Sequence, residues 1–248
     1  MRRSSRAGVT LIEITIAITL LSLLSLGMAI AIRVGLQAFA KTDAKLMDIR
    51  KITGAQNILY QELEGLIPVL AACSGNTVDN GFKVAFFQGE PAALRMVSSF
   101  SLQQGWRGEP QVLELFVIPG DKGEGVRLVV NESLYTGYMG AASFCTGVAA
   151  DPVTGAPLPK FTPVVAGPKS FVLADQLAYC RFSYYYPGSP MGNQPPGWVT
   201  AWAAKGWPEA IRIEMAPVHP DRSRIQPITV TAPVHIRRDP EKKYEDTN

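Results

Sequence analysis

Residues 8–32 read GVTLIEITIAITLLSLLSLGMAIAI, and this stretch decides how the chain is built. No charged residue appears from Ile14 to Ile32. A helix over that apolar stretch is about 28 Å long at 1.5 Å per residue, which is enough to cross the hydrocarbon core of a bilayer. The pattern predicts one membrane-spanning helix at the N-terminal end of the chain.

A cleaved secretory signal peptide and an unspecialised signal anchor are the alternative interpretations of this stretch. Ala29-Ile30-Ala31 is typical of a signal-peptide cleavage site after a basic N-terminal region. However, the apolar run exceeds the roughly 7–15 residues of a signal peptide, and Glu13 stands at its leading edge. These two features favour a retained helix with a specialised start.

The segment from Gly8 to Glu13 resembles the processing site of type IV prepilins and type II secretion pseudopilins. In that family a short basic leader ends in glycine, an apolar residue begins the mature chain, and Thr-Leu-Ile-Glu or a close variant follows. Val9 stands where Phe is common, and the proline often found later in pilin helices is absent.

The resemblance implies that a prepilin peptidase cuts between Gly8 and Val9 and N-methylates Val9. Residues 1–8 are then the leader peptide and residues 9–33 the transmembrane helix. Glycine suits this position because, lacking a side chain, it lets the peptidase approach the backbone closely.

Glu13 becomes the fifth residue of the mature chain. A carboxylate at the edge of a bilayer is costly unless it is paired, and such residues are functional candidates. In the family the partner is the N-terminal amine of a neighbouring subunit, so the resemblance implies a role for Glu13 in subunit pairing during assembly. The alternative is a glutamate that only extends to the lipid headgroups.

The helix is predicted to continue as an amphipathic segment over residues 34–68, with Pro68 near its end. Leu36, Phe39 and Met47 lie nearly opposite the later apolar residues, so this part contacts neighbouring subunit helices, or the helix breaks near Gly35. The later apolar residues, which share one face, are Ile49, Ile52, Leu59, Leu63 and Leu66.

A β-rich head is predicted over residues 69–236, followed by a charged tail at 237–248. The fold class is therefore α+β, a long N-terminal helix followed by an antiparallel sheet, and the resemblance implies a pilin-like fold. Residues 137–170, rich in Gly, Ala and Pro, are predicted to form a long loop. The predicted strands cover residues 82–87, 93–98, 112–118, 126–130, 171–173, 177–186, 211–215 and 228–236, and a hairpin turn is predicted at 120–123.

The C-terminal third resembles the closing hairpin of the J-type minor pseudopilin of type II secretion. The similar parts are residues 171–175, residues 179–186, Trp198, Trp202, Trp207-Pro208 and residues 210–213, with Gly105-Trp106-Arg107 similar to the middle of that family's head. The resemblance is discontinuous, and tryptophans in a β domain are also common core residues.

The chain has three cysteines, Cys73, Cys145 and Cys180. They lie far apart in sequence and form no CxxC motif, which argues against a zinc site and against a thioredoxin-like motif. In an extracytoplasmic head, one disulfide with one spare thiol is expected, and Cys145–Cys180 is the candidate pair, with Cys73 as a competitor. Three buried free thiols are the alternative.

No enzymatic activity is expected, and neither is a cofactor. His219 and His235 lie outside any nucleophile, zinc-protease or Walker pattern. No metal site is expected either, since the loop carboxylates Asp121, Glu124, Asp151 and Asp175 lack EF-hand spacing and are best interpreted as solvated rather than as calcium ligands.

The formal charge of +3 is spread along the chain, so nucleic acid is not an expected partner. Arg2, Arg3 and Arg6 favour a cytoplasmic N-terminus, although Arg33 and Lys41 dilute the asymmetry. With the resemblance, this implies a single-pass inner-membrane protein whose C-terminal head lies in the periplasm.

Together these features predict a minor pseudopilin that helps to initiate or cap the periplasmic pseudopilus of a type II secretion system. The implied partners are the I-type and K-type minor pseudopilins, the major pseudopilin, the prepilin peptidase and the inner-membrane assembly platform. The alternatives are a minor pilin of a type IV pilus and a membrane-anchored periplasmic binding or enzymatic domain.

Overall fold

The computed structural model describes residues 10–73, 82–102, 106–151, 155, 157–188, 195–218, 227–235 and 240, with the backbone alone for residues 40–53, 82, 106, 107 and 122. The chain divides into two units, Met1–Arg50 and Lys51–Asn248. The first unit is helical where it is described, and the second contains the β structure.

The first element is one α-helix, α1, which runs over Leu11–Glu64. Gly35 lies inside it without interrupting the helix, so the alternative of a break near Gly35 is wrong. The helix ends before Pro68 because Ile67 N–H donates to the carbonyl oxygen of Val97 at 2.8 Å, which draws the chain onto a strand. Gly65 permits this approach, since a Cβ there would lie 2.8 Å from Ser98 Oγ.

An antiparallel sheet forms the centre of the second unit. Eight strands of the described chain belong to it, in the order β12-β11-β9-β6-β5-β4-β3, with β10 paired to β9. The strands of the described chain are β1 Leu70–Cys73, β2 Phe82–Ala85, β3 Gln88–Gly89, β4 Ala93–Ser101, β5 Trp106–Pro119, β6 Val126–Leu134, β7 Cys145–Ala150, β8 Pro157–Phe161, β9 Phe171–Tyr186, β10 Gly197–Val199, β11 Ala210–Pro217 and β12 Ile228–Pro233.

One face of this sheet packs against the C-terminal part of α1. Leu59, Leu63 and Leu66 are buried there, as the predicted amphipathic face requires, and the side chains of Ile49 and Ile52 lie outside the described residues. Strand alternation supplies the facing surface, since successive side chains point to opposite sides of a sheet. The sheet residues of this core include Met96, Leu113, Val130, Phe182, Ile211, Ile213 and Val230.

A second layer covers the opposite face near β4 and β5. It consists of the β1–β2 and β7–β8 strand pairs and the short helix α2, Tyr138–Ala141, and its core includes Val84, Phe86 and Val112. The prediction of a long loop over residues 137–170 is therefore wrong for residues 138–150 and for Pro157–Phe161, whereas residues 162–170 contain no helix or strand, as predicted. This segment lacks periodicity because it packs through a few aromatic side chains, among them Phe144 and Phe161, rather than through a regular apolar face.

The α+β plan is confirmed, and each predicted strand overlaps a strand of the structure, although β1, β3, β7, β8 and β10 were not predicted and residues 86–87 and 234–235 lie outside the strands. Residues 171–173 and 177–186 belong to one strand, β9, whose pairing with β6 shifts register between Val126 and Val129. Gln176 has a φ of 54° within that irregularity. The hairpin turn at 120–123 is present as a short 3₁₀ turn between β5 and β6, with Glu114 and Arg127 on its two arms.

Candidate functional site

The first part of α1 is long and apolar enough to span a membrane. The stretch Leu11–Phe39 contains 29 residues with a mean hydropathy of 2.3, and its side chains are exposed. Its hydroxyl groups bond within the helix, as Thr15 Oγ1 donates to the Ile12 carbonyl oxygen at 2.9 Å and Ser22 Oγ to that of Ile18 at 2.7 Å. This back-bonding leaves few polar groups that need water, which suits an apolar solvent.

Thr10 and Glu13 form a reciprocal cap at the start of this helix. Glu13 N–H donates to Thr10 Oγ1 at 3.4 Å, while Glu13 Oε2 accepts hydrogen bonds from Thr10 N–H and Thr10 Oγ1, each at 3.2 Å. This is the capping-box arrangement, in which two orphan N–H groups of the first turn are satisfied. The carboxylate also lies at the positive end of the helix dipole. Sequence reasoning did not anticipate this cap, although the Thr-x-x-Glu spacing is its signature.

The predicted cleavage and methylation residues, Gly8 and Val9, lie outside the described residues. Both Thr10 and Glu13 are exposed, so the carboxylate of Glu13 is accessible to another group.

The cysteine prediction needs correction, because Cys73 is bonded to Cys145 and Cys180 is free. Cys180 points from β9 into the core beneath α1, whereas Cys73 of β1 and Cys145 of β7 belong to the layer on the opposite face of the sheet. The sheet separates Cys180 from both partners. Burial also raises the pKa of the Cys180 thiol to about 12, so it is not a reactive thiolate at neutral pH.

Two of the four loop carboxylates considered as calcium ligands pair with an arginine. Arg127 Nε donates to Asp175 Oδ1 at 2.8 Å, and its Nη2 contacts Asp121. The hydrogen bonds from Arg127 lower the pKa of the Asp175 carboxyl. Within the described residues, no group of three or more metal-ligating side chains comes together, and the exposed Glu124 and the half-buried Asp151 do not join Asp121 and Asp175.

A buried arginine ties the second layer to the main sheet. Arg95 is 1% exposed, and its Nε donates to Glu114 Oε1 at 2.7 Å. Its Nη1 donates to Gln88 Oε1 at 2.6 Å and its Nη2 to the Thr162 carbonyl oxygen at 3.0 Å. The rings of Phe144 and Phe161, with centroids 5.3 and 5.4 Å from Arg95 Cζ, complete the site and are close enough for cation–π attraction.

This network was missed by sequence reasoning because its members are far apart in the chain. Asn131 Nδ2 extends it, donating to Glu114 Oε2 at 2.7 Å and to the Val165 carbonyl oxygen at 3.0 Å. Burial lowers the pKa of the Arg95 guanidinium and the Glu114 carboxylate opposes that fall. A charged arginine in this position ties Phe144, Phe161 and Thr162 of the second layer to the main sheet.

A fully buried glutamate, Glu62, lies in the last turn of α1. The carboxyl oxygens of Glu62 have no hydrogen-bond partner among the described residues, and Ser98 Oγ donates instead to the main-chain oxygen of Glu62 at 3.3 Å. Burial raises the pKa of the Glu62 carboxyl to about 8, Ser98 opposes the rise and the carboxylate of Glu132 adds to it. Glu62 is therefore largely neutral at pH 7, because a buried charge without a partner is costly.

A groove of 510 Å³ opens on the side of the head where the second layer meets the edge of the main sheet. β2, β3 and β8 line it together with the turn at residues 202–206. Three lysines from three different elements face it: Lys83, Lys160 and Lys205. Its described lining contains no histidine or cysteine.

The histidines are not part of any of these features. His235 is exposed after β12, and His219 lies outside the described residues. No protein-family model matches the sequence, and a search of curated proteins finds no match.

Proposed function

We propose that this chain is a membrane-anchored structural subunit of a type IV pilin-like filament, and specifically a J-type minor pseudopilin of a type II secretion system. In that role it helps to initiate or cap a periplasmic pseudopilus. The observation that carries the proposal is Glu13, a carboxylate in the first turn of an apolar helix otherwise free of charge from Ile14 to Ile32.

The carboxylate of Glu13 is costly at the edge of a membrane. A helix that serves only as an anchor gains from apolar residues and loses from an acid at its membrane edge. The capping box accounts for part of Glu13's role, but glutamine at the same position would complete a capping box with Thr10 without placing a charge at the membrane edge. An additional cationic partner, such as the N-terminal amine of a neighbouring subunit, accounts for the choice of glutamate.

The helix then positions subunits through its apolar surface. Side chains from Leu11 to Phe39 are exposed on all sides of α1, which fits a helix surrounded by lipid before assembly and by other helices after it. The head follows as an α+β domain, and the proposed partners are the I-type and K-type minor pseudopilins, the major pseudopilin and the inner-membrane assembly platform. The proposed location is the inner membrane, with the head in the periplasm and no catalytic role.

Mass spectrometry of the protein purified from membranes tests the processing step. The expected mature N-terminus is Val9 carrying a methyl group, after cleavage by a prepilin peptidase. Gly8→Leu should leave an unprocessed precursor, because a side chain at the scissile position blocks access to the backbone. Ala7→Leu is the matched control and should still be cleaved. A mature terminus at another residue, or efficient cleavage of the Gly8 variant, would contradict the proposal.

A further inference from the structure

The groove beside β3 has a positive rim and an apolar floor. Its described lining contains three lysines, Lys83, Lys160 and Lys205, against one acid, Glu90. Gln88 Nε2 donates to Glu90 Oε1 at 2.6 Å, which partly satisfies that carboxylate. The groove therefore presents a net positive charge to solvent.

The lysines reach the groove from separate elements. Lys83 extends from β2, where its Nζ lies 5.1 Å from the centre of the Tyr138 ring, and that contact restrains its position. Lys160 extends from β8 and is exposed. Lys205 lies on the turn at residues 202–206 and is exposed. Folding alone brings these three charges together, against their mutual repulsion.

The floor and one wall are apolar and held in place. Trp202 N–H donates to the Gly89 carbonyl oxygen at 2.8 Å, and Trp202 Nε1 donates to that of Gly206 at 3.0 Å. The Trp202 ring also packs edge-on against Phe87. Gly89 has to be a glycine, because a Cβ there would lie 2.7 Å from the Tyr184 ring and 2.9 Å from Trp202 Cβ.

A buried network supports the same wall. Gln88, which bonds Glu90, accepts a hydrogen bond from Arg95, and Tyr184 Oη donates to the Glu90 carbonyl oxygen at 2.9 Å. A surface supported in this way is rigid before a ligand arrives, so binding costs little ordering of the site. Its 510 Å³ falls inside the range of about 300–1,000 Å³ that is common for ligand sites.

We propose that this groove binds an extended acidic peptide segment in which apolar and acidic residues alternate. In an extended chain successive side chains point to opposite sides, so apolar residues enter the floor formed by Phe87, Leu158 and Trp202 while carboxylates face the lysines. Lysine suits this task because its flexible stem lets one ammonium follow carboxylates of varied geometry. The proposal depends on the head alone and holds whether or not the chain enters a filament.

The test measures fluorescence anisotropy of a labelled octapeptide of alternating glutamate and leucine, with the full chain in a neutral detergent. Saturable binding is expected, with affinity falling as salt is raised. Two control peptides replace every glutamate by glutamine or every leucine by serine, and each should bind about tenfold more weakly or worse. Equal binding of either control, or no binding of the first peptide at millimolar concentration, would overturn the proposal.

A charge-reversed variant locates the site. Lys83→Glu/Lys160→Glu should weaken binding of the acidic peptide by about tenfold or more, because the rim then repels carboxylates. Lys169→Glu, an exposed lysine outside the groove lining, is the matched control and should bind as the original chain does. Unchanged far-UV circular dichroism and thermal melting confirm that both variants are folded. Unchanged affinity in the groove variant would overturn the assignment.

Removal of residues 237–248 distinguishes an external partner from the chain's own acidic and basic tail. If the tail occupies the groove, its removal should raise the peptide affinity by about tenfold or more, and the proposal of an external segment is then wrong. Unchanged affinity after the removal supports an external partner. Processing at Gly8 is independent of both outcomes, so failure here leaves the filament proposal standing.

Discussion

Thr10 and Glu13 cap each other at the first turn of α1: the threonine hydroxyl accepts the glutamate N–H, and Glu13 Oε2 accepts the threonine N–H and hydroxyl. The same carboxylate that the resemblance assigns to subunit pairing is thus engaged within its own chain. A neighbouring amine has to compete with the Thr10 N–H or share the carboxylate with it. Capping and pairing are separable, because capping requires a hydrogen-bond acceptor whereas pairing with an amine requires a charge.

Glu13→Gln separates the two roles. Glutamine retains the capping box but removes the charge, so helix formation and membrane insertion should persist while subunit association is lost. The measurement is cross-linking of neighbouring chains through cysteines placed in the apolar helix, in membranes that also contain the assembly machinery. The expected loss of cross-linked species is about tenfold or more, as for removal of a desolvated ion pair.

Thr10→Ala is the control for that experiment. It removes the threonine side of the cap, costs about 1 kcal/mol of helix stability and leaves the Glu13 charge in place. Association should therefore persist. If Glu13→Gln associates normally, Glu13 serves as a cap alone and the pairing role proposed for its charge is wrong.

The disulfide assignment predicts unequal effects of the three cysteines. Cys73→Ser/Cys145→Ser removes a link across a sequence separation of 72 residues, and the entropy of the unfolded chain makes that worth about 4 kcal/mol. Urea unfolding of the head should show this loss. Cys180→Ser should change stability less, and the Cys180 thiol should resist alkylation until the protein is unfolded. A peptide map linking Cys145 to Cys180 would contradict the assignment.

Because Glu62 is buried, we expect the free energy of unfolding of the head to fall as the pH rises. The carboxyl of Glu62 has a pKa of 4.5 in the unfolded chain and about 8 in the folded head, so the folded state binds the proton more tightly. The stability that Glu62 gives the folded head relative to the unfolded chain is fully present below pH 4.5 and is lost as the pH rises to about 8. The loss amounts to several kcal/mol at about 1.4 kcal/mol per pKa unit.

Urea unfolding of the head at a series of pH values tests this prediction. Glu62→Gln should flatten the pH dependence and be more stable than the original chain at pH 8, because no charge has to be buried. Glu64→Gln, two residues later and exposed, should keep the original profile. Parallel profiles for the two variants would show that Glu62 is not the group responsible.

We expect substitution of Arg95 to reduce the order of the second layer. Arg95→Met leaves the buried Glu114 carboxylate without its cation and should cost about 3–5 kcal/mol. Amide hydrogen exchange should increase most in β8, since the Thr162 carbonyl oxygen loses its donor. Arg127→Met removes an ion pair whose aspartates are exposed and should leave stability and exchange in β8 nearly unchanged. Equal effects of the two variants on stability and on amide exchange in β8 would contradict the role of Arg95 in holding the second layer against the main sheet.

Local sequence pattern determined the long helix α1 and the long strands of the main sheet, but not α2 or the β7–β8 pair, whose segment has no regular periodicity. The charge-free run after Glu13 specifies a helix suited to a membrane, and alternating apolar residues specify strands such as β5 and β11. These features depend on neighbours in sequence, because helix and strand periodicities are local properties of the backbone. The Thr10–Glu13 cap also belongs here, since both partners lie in one turn.

Only the tertiary structure determines which residues of different helices and strands lie next to one another. Cys73 finds Cys145 rather than Cys180 because the main sheet separates Cys180 from the second layer. The Arg95 network and the lysine groove join residues from strands that are distant in sequence, and no local pattern encodes their proximity. The burial of Glu62 likewise depends on which face of α1 the sheet covers. Long-range packing selects these contacts because it fills the core and satisfies buried polar groups as a whole, which no short stretch of sequence records.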